Sequence, residues 1–308
     1  MNNRYSFKGP IILLIAAIFW GTTFVAQSLG SDHVGPFTYN AGRFIITGII
    51  LSIISLIIDK KKKKNNNQVE LTNNKSNRWI IFMAIGVGLS LFLAATFQQV
   101  GIDMTKSASK SGFITTIYIV LVPVLGLLLK KKVKLHIWFC LIAALVGSYL
   151  ISIDGNFNIE VGDLLTLICA LLFAVQIVLI DIINPYINSI KLSAIQFVVA
   201  GSLSFIVMVC TEGIDLNSIY MALPAILYAA IFSGCIAFTL QIVGQKYTEP
   251  TVASMIMSLE NVVALISGVI ILHEELTLRV VIGCVLIFVA IILAQLNIFD
   301  KKNKKNIC

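Results

Sequence analysis

Residues Ala253 to Glu275 read ASMIMSLENVVALISGVIILHEE, an apolar run whose only acidic side chain away from its end is Glu260. At a rise of 1.5 Å per residue, some twenty such residues cross a hydrocarbon core of about 30 Å as a helix. A carboxylate at the centre of that helix costs about 2.5–3.5 kcal/mol on insertion, so it normally faces protein or a wet cavity. Two roles for Glu260 stay open: a functional carboxyl, or a structural one that is protonated or hydrogen-bonded to a neighbouring helix.

The composition of the whole chain is that of a membrane protein. Of its 308 residues, 58% are hydrophobic and 12% are charged, with a mean hydropathy of +0.93, whereas about 25% of the residues in a soluble domain are charged. Ten apolar segments of bilayer-spanning length follow one another with short connections. Unpaired backbone groups exclude open sheet edges in lipid, so the segments are helices. The sequence therefore predicts an all-α integral membrane protein with ten transmembrane helices.

The distribution of charge predicts the orientation of the chain. Most of the 23 Lys and Arg residues fall on one side if the helices alternate, including the runs at 60–64 and 130–134, and such residues stay cytoplasmic. We therefore expect both termini in the cytoplasm, a solvated cytoplasmic loop at 59–78 and a basic cytoplasmic tail at 301–308. Because the basic residues lie at the edges of apolar segments, the net charge of +8 does not indicate a nucleic-acid partner.

The two halves of the sequence resemble each other when the chain is shifted against itself. An offset of 153 residues applies early in the chain and an offset of 142 applies later. The paired residues are Arg43 with Gln196, Gly48 with Gly201, Gln99 with Gln241, and Tyr118 with Glu260. Since five is an odd number, a second set of five helices enters the membrane in the opposite direction. The sequence thus predicts two inverted repeats, residues 1–155 and 156–300, with a substrate site between them near the midplane.

Polar and aromatic side chains deep in the spans are the candidates for a substrate or coupling cavity. Glu260 lies on a stripe of small or polar residues, and Tyr118 is its counterpart in the first repeat. Arg43 would bind an anionic group of the substrate, pair with Glu260, or simply fix helix packing. Trp20 would form an aromatic wall or pack in the core. The full candidate set is Glu260, Arg43, Tyr118, Trp20, Asn261 and Gln196.

Four glutamines near helix ends form a second group: Gln98, Gln99, Gln241 and Gln245. They would line a gate, or they would form hydrogen bonds between helices. The three histidines are unclustered and the cysteines have no metal-type spacing, so we expect no metal and no cofactor. The chain also has no P-loop, no HExxH motif and no membrane-deep Ser/His pair. We therefore do not expect an enzyme, and energy for transport would come from a gradient.

These motifs together resemble a known family. They are WG at Trp20, GPFTYNAGRF with Arg43, SGFITTIYIVLVPVLGLLL in the fourth span and ASMIMSLENVVALISGVIILHEEL in the ninth. The chain is similar to the drug/metabolite transporter superfamily, specifically to bacterial EamA-type transporters. The resemblance implies a multi-pass carrier in the bacterial plasma (inner) membrane that moves small metabolites, often by exporting amino acids or related compounds. Asn261 stands where the family usually has a proline, a departure that would straighten the ninth helix locally.

The functional expectation is a secondary exporter that works by alternating access between the repeats. Proton coupling is one hypothesis, in which proton and substrate exclude each other at Glu260. The alternatives are an uptake permease or facilitator on the same fold and a non-transporting membrane sensor or assembly protein. The expected partners are a small-molecule substrate and the lipid bilayer. Gly147 and Gly283 have two possible roles: they form the interface of a homo-oligomer, or they pack within one chain.

Overall fold

The computed structural model of the chain describes residues 7–64, 75–105, 108–153, 159–272 and 277–305. Within these ranges ten helical spans are long and apolar enough to cross a bilayer, as the sequence predicts. The helices are α1 (Lys8–Ser31), α2 (Pro36–Lys64), α3 (Asn77–Thr105), α4a (Ala108–Thr116), α4b (Tyr118–Leu128), α5 (Leu135–Ser152), α6 (Val161–Ile183), α7 (Ser189–Thr211), α8 (Leu216–Gln245), α9a (Pro250–Met257), α9b (Glu260–Leu272) and α10 (Leu278–Lys305).

The outer surface carries the large apolar side chains that a lipid-facing surface requires. Phe82 on α3 is 74% exposed, and Ile270 on α9b is 68% exposed. Small residues instead lie where helices meet, as expected where helix association depends on close packing rather than on a hydrophobic driving force. The fold is therefore an all-α membrane bundle with an apolar exterior.

Helices α2 and α7 are equivalent elements of the two repeats and cross each other through a matched pair of glycines. A Cβ atom on Gly48 would lie 3.2 Å from the backbone nitrogen of Val198, and one on Gly201 would lie 3.0 Å from that of Ile45. The two glycines are 153 residues apart, the offset read from the sequence. The contact of the α2 glycine with α7 is therefore matched by an equivalent contact of the α7 glycine with α2, as expected for helices related by a pseudo-two-fold axis.

Helices α5 and α10 form a second such crossing. A Cβ atom on Gly147 would lie 2.6 Å from the carbonyl oxygen of Gly283, and one on Gly283 would lie 2.6 Å from the carbonyl oxygen of Gly147. The two backbones are therefore in direct contact. Packing within one chain, one of the two options for these glycines, accounts for both of them.

Two further glycine pairs connect α1 with α8 and α3 with α6. A Cβ atom on Gly9 would meet the carbonyl oxygen of Gly244 at 3.1 Å, and one on Gly162 would meet that of Gly101 at 3.0 Å. Gly9 and Gly162 are equivalent residues of the two repeats, so the glycines that they contact, Gly244 and Gly101, must also be equivalent. The offset between these two is 143 residues rather than 142. The sequence pairing of Gln99 with Gln241 is wrong by one residue, and Gln98 is the structural counterpart.

The helix ends also differ from the sequence prediction. Helix α2 continues through Lys64 and α3 begins at Asn77, so both ends of the predicted loop at 59–78 are helical; residues 65–74 lie outside the described residues. Lysine is a good helix former, and adding residues to an existing helix needs no new nucleus. Helix α10 likewise continues to Lys305, within the predicted tail. The boundary between the repeats at 155 lies in an undescribed segment and stays a prediction.

Candidate functional site

Two helices are interrupted at equivalent points near their centres. In the fourth span the Ile117 amide donates to the Ile114 carbonyl at 3.1 Å, and in the ninth the Leu259 amide donates to the Ile256 carbonyl at 3.2 Å. Bonds to the third preceding residue are typical of a 3₁₀ turn, which tightens a helix locally. The ninth span is therefore interrupted between α9a and α9b although residue 261 is an asparagine and not a proline, so the expected straightening is not seen.

A cavity lies between the two halves of the chain beside these breaks. It has a volume of about 70 Å³, which is room for a few water molecules. A larger ligand fits only if side chains or helices move. The lining residues are Trp20, Thr23, Phe24, Gln27, Arg43, Leu91, Ala95, Gln98, Thr115, Tyr118, Phe173, Gln176, Ile177, Ser233, Phe238, Gln241, Met257 and Glu260.

Glu260 and Tyr118 begin the half-helices that follow the two breaks, and their side chains meet on the cavity wall. The Tyr118 hydroxyl donates a long hydrogen bond of 3.5 Å to a Glu260 carboxylate oxygen. Both side chains are buried, with 8% of Glu260 and 4% of Tyr118 exposed. Among the ion pairs of the described residues, none includes Glu260. The cavity therefore has a carboxyl group that no basic side chain neutralises.

Arg43 lies on the same cavity wall as a second charged group. Its side chain is 6% exposed, so it does not extend to the external surface. Its Nε donates to the Asn40 Oδ1 at 3.0 Å, and its guanidinium carbon lies 4.6 Å from the centre of the Phe44 ring. No ion pair of the described residues includes Arg43, so the expected option of pairing with Glu260 is not seen. The cavity therefore has one basic and one acidic side chain that do not pair with each other among the described residues.

Aromatic side chains from both repeats form much of the remaining wall. The rings of Trp20 and Phe238 meet edge to face with centroids 4.9 Å apart. Phe24 and Phe173 also line the cavity. Trp20 therefore combines the two roles considered for it, because it packs against the core and also faces the cavity. An apolar wall of this kind suits a ligand that carries an apolar group.

Several polar atoms at the cavity have no hydrogen-bond partner within the described structure. They are the indole nitrogen of Trp20 and the amide oxygens of Gln176 and Gln241. Leaving a buried polar group unsatisfied costs about 1–3 kcal/mol, so native proteins usually satisfy such groups with protein, water or ligand. One donor and two acceptors around one cavity are therefore consistent with a polar ligand or with ordered water.

Four of the predicted polar residues lie behind the cavity wall and make helix contacts. Asn261 donates to the Ser148 hydroxyl at 2.7 Å, and also to Thr116. Gln196 accepts a 3.3 Å bond from Gln176, which itself lines the cavity. Gln99 accepts from Gln27 and donates to Ser31, while Gln245 donates to the Ile177 carbonyl. Six of the ten candidates line the cavity: Glu260, Arg43, Tyr118, Trp20, Gln98 and Gln241.

Other cavity residues were missed by the sequence analysis, although some carry a readable signal. Thr23, Phe24 and Gln27 follow Trp20 at steps of three, four and seven residues, which places them on one face of α1. Ser233 and Phe238 come from the central part of α8, Ala229–Phe238, which forms a π-helix. π-Helical turns occur often at functional sites. Nothing in the sequence distinguishes this stretch from an ordinary apolar helix.

Comparison with known proteins gives a consistent result. A family model described as the EamA-like transporter family matches residues 7–153 and again residues 160–296. An uncharacterized transporter of Archaeoglobus fulgidus is 32% identical over 292 residues, which cover 93% of this chain and 85% of the relative. An uncharacterized transporter of Clostridium kluyveri is 25% identical over 305 residues, with 93% and 92% covered. The uncharacterized transporter YoaV of Bacillus subtilis is 23% identical over 280 residues, with 89% and 92% covered.

A known crystal structure shares the fold of this chain. The two superpose with a TM-score of 0.76 and cover 95% of this chain and 98% of the other, at 18% sequence identity. At that identity the likeness supports the fold alone. The fold of this chain is therefore found in at least one other protein of known structure.

Proposed function

The chain belongs to the EamA-like transporter family, and we propose that this membrane transporter is a secondary exporter of small metabolites, namely amino acids or related compounds. The observation that carries the proposal is the pair of opposite charges on the wall of one cavity. Arg43 and Glu260 both line it, and neither takes part in an ion pair among the described residues. Burying a charged group without an ion-pair partner is costly, so each of these two side chains is expected to serve a ligand.

The two charges and the aromatic wall together favour a zwitterionic ligand. The Arg43 guanidinium presents a planar set of donors that suits a carboxylate, and the Glu260 carboxylate suits an ammonium group. An apolar side chain of the ligand would lie against Trp20, Phe173 and Phe238. The unpartnered amide oxygens of Gln176 and Gln241 offer further acceptors for an ammonium group. This set of groups matches an amino acid or a compound with the same two charges.

The surroundings of Glu260 support the proposal of proton coupling. The carboxyl has one polar side-chain contact in the cavity, the 3.5 Å bond from Tyr118. A proton and a substrate ammonium group would both neutralise Glu260, and only one of them can do so at a time. Binding of a proton from outside would therefore release the substrate, and loss of that proton inside would let the next substrate bind.

The inverted repeats provide the alternating access that this cycle needs. The cavity lies where α4 and α9 are interrupted at equivalent points, and folds of this type carry substrate sites at such discontinuous helices. Rocking of one repeat against the other would expose the cavity to each side in turn. We place the protein in the bacterial plasma membrane with both termini in the cytoplasm, as its loop charges suggest.

The test is transport of a pooled set of amino acids and related compounds in sealed inside-out vesicles, with and without a pH gradient. Movement of each compound is read by mass spectrometry for the parent protein, for Glu260→Gln and for Asp32→Asn. Asp32 lies at the exposed end of α1 and serves as the carboxyl control. We expect Glu260→Gln to reduce gradient-driven transport at least about tenfold, whereas Asp32→Asn transports like the parent.

The other outcomes would replace parts of this proposal. Transport in the opposite direction would identify an uptake permease, and transport that ignores the pH gradient would identify a facilitator or an exchanger. Unchanged transport by Glu260→Gln would show that this carboxyl is structural. If no compound moves in any vesicle, the proposed substrate class is wrong.

A further inference from the structure

A second and larger cavity lies at the end of the molecule where α4b ends and α5 and α9a begin. Its volume is about 620 Å³, against about 70 Å³ for the central cavity in the same measure. Val122 and Val252 line the second cavity, and each lies four or five residues from a residue that lines the first, Tyr118 or Met257. The two cavities are separate but close. We call the second one the lysine crevice.

One wall of the lysine crevice is basic. Lys131, Lys132, Lys134 and His136 line it, and Glu249 is the single acidic residue of the lining. Behind the wall, the Lys131 ammonium group pairs with the Asp181 carboxylate at 2.5 Å. Among the described residues at the crevice there are three lysines and these two carboxylates, so the described part of the crevice has a net positive charge. A concave site with this charge attracts anions.

The opposite part of the lysine crevice is apolar. Val122, Ile137, Val178 and Val252 line it, and each of these side chains is less than 10% exposed. The crevice thus has a basic rim and an apolar floor. A small inorganic anion would use only the rim, whereas a molecule with an anionic head and an apolar chain would contact both.

The position of the lysine crevice relative to the membrane follows from its neighbours. The lysine segment 130–134 connects the apolar helix ends at Leu128 and Leu135, which are 76% and 71% exposed. Apolar residues that are exposed beside lysines mark the boundary between hydrocarbon and headgroups. The rim therefore lies at headgroup level, on the side of the membrane that carries most of the basic residues.

We propose that the lysine crevice binds an oxyanion carried on an apolar chain. The phosphate or carboxylate head lies against Lys132 and Lys134, and the chain lies on Val122 and Val252. Two sources carry this chemistry: an anionic phospholipid of the bilayer and a water-soluble amphiphilic anion. Basic pockets between transmembrane helices are known to hold anionic headgroups. The site is separate from the central cavity, and binding to it does not require that the protein transports anything.

The test measures binding of phosphatidylglycerol to the purified full chain in detergent by native mass spectrometry, with phosphatidylcholine of the same acyl chains for comparison. A lysine near the headgroups contributes roughly fivefold in affinity, so Lys132→Gln with Lys134→Gln should weaken binding about 30-fold. The matched control is Lys60→Gln with Lys61→Gln, which removes the same charge from the exposed end of α2. Thr251→Trp provides a third variant that fills the crevice at unchanged charge, since Thr251 lines it.

We expect the parent chain to bind phosphatidylglycerol more tightly than phosphatidylcholine. This preference should be lost in Lys132→Gln with Lys134→Gln and in Thr251→Trp. The affinity of the control variant for phosphatidylglycerol should change less than threefold. Equal losses in both lysine pairs would overturn the proposal, because binding would then depend on total charge alone. Equal binding of the two lipids would overturn it as well.

A competition arm distinguishes the two sources, with decanoate and inorganic phosphate as the competitors. Displacement of the lipid by decanoate and not by phosphate supports a soluble amphiphile, and displacement by neither supports the lipid. Displacement by inorganic phosphate as readily as by decanoate would refute the role of the apolar floor.

Discussion

The crossing of α5 and α10 makes a strong prediction about stability, because the two backbones touch there. Replacing Gly147 with alanine places a methyl group 2.6 Å from the Gly283 carbonyl oxygen and 2.8 Å from the Ile287 side chain. A backbone oxygen cannot rotate away as the end of a side chain can. The helices must therefore move apart, and every contact along the crossing weakens.

The expected cost follows from two opposing effects. Overpacking of a tight interface costs about 1–3 kcal/mol, and contact with backbone belongs at the upper end. Alanine in a helix interior is more favourable than glycine by about 0.5–1 kcal/mol in helix propensity, which offsets part of this cost. We therefore expect Gly147→Ala to lower the free energy of unfolding by about 2 kcal/mol. Gly86→Ala is the matched control: its new methyl group meets only the end of Leu179, at 3.9 Å, so it should be neutral or slightly stabilising.

The assay is reversible unfolding in mixed detergent micelles at increasing sodium dodecyl sulfate, followed by tryptophan fluorescence. Adding Gly283→Ala to Gly147→Ala should cost less than the first change did, because one separation of the helices relieves both contacts. Equal stability of Gly147→Ala and Gly86→Ala would refute the close crossing. Full additivity of the two crossing variants would refute the shared movement.

Three further predictions use the same unfolding assay. Asn261→Ala should cost about 1–3 kcal/mol, because it removes the hydrogen bonds that join α9b to α4a and α5; no loss would show that the bonds do not stabilise the fold. Lys131→Gln should cost about 1–3 kcal/mol by leaving the buried Asp181 carboxylate without its ammonium partner, and Asp181→Asn in the same chain should restore part of this; a double variant less stable than the single one would contradict the pairing. Hydrogen bonds from Ser218 and the Asn217 amide lower the pKa of Asp215 below 3.8, so its stabilising effect is present above that pH and is lost as pH falls through the lowered value. Asp215→Asn should remove this part of the acid sensitivity, and an unchanged pH profile would argue against it.

The ten spans could be predicted from the sequence because hydropathy and length are enough to identify a bilayer-crossing helix. The breaks in α4 and α9 could not. They fall at Ile117 and at Ser258 and Leu259, with no glycine or proline at either point. Because neither point has a residue type that normally interrupts a helix, a single sequence does not show where the breaks fall.

The same contrast holds for the candidate site. Glu260, Arg43 and Trp20 stand out because they are rare residue types in an apolar background, and all three line the cavity. Leu91 and Ile177 line it too, but they have the same apolar character as lipid-facing residues. Among the glutamines a single residue step decides the role, since one step rotates a side chain by 100° around the helix. A shift of one residue in the alignment of the two repeats was enough to pair Gln241 with Gln99 instead of Gln98.

Tyr118 and Glu260 occupy the same place in the two repeats and touch each other across the axis between them. A symmetric dimer of two identical five-helix chains would place the same residue at both positions. Two facing carboxyl groups would resist ionising together, and two facing phenols would supply no charge. An acid opposite a phenol arises only when the halves can mutate independently. A single chain that contains both halves can therefore place an acid opposite a phenol, whereas a homodimer of one five-helix unit cannot.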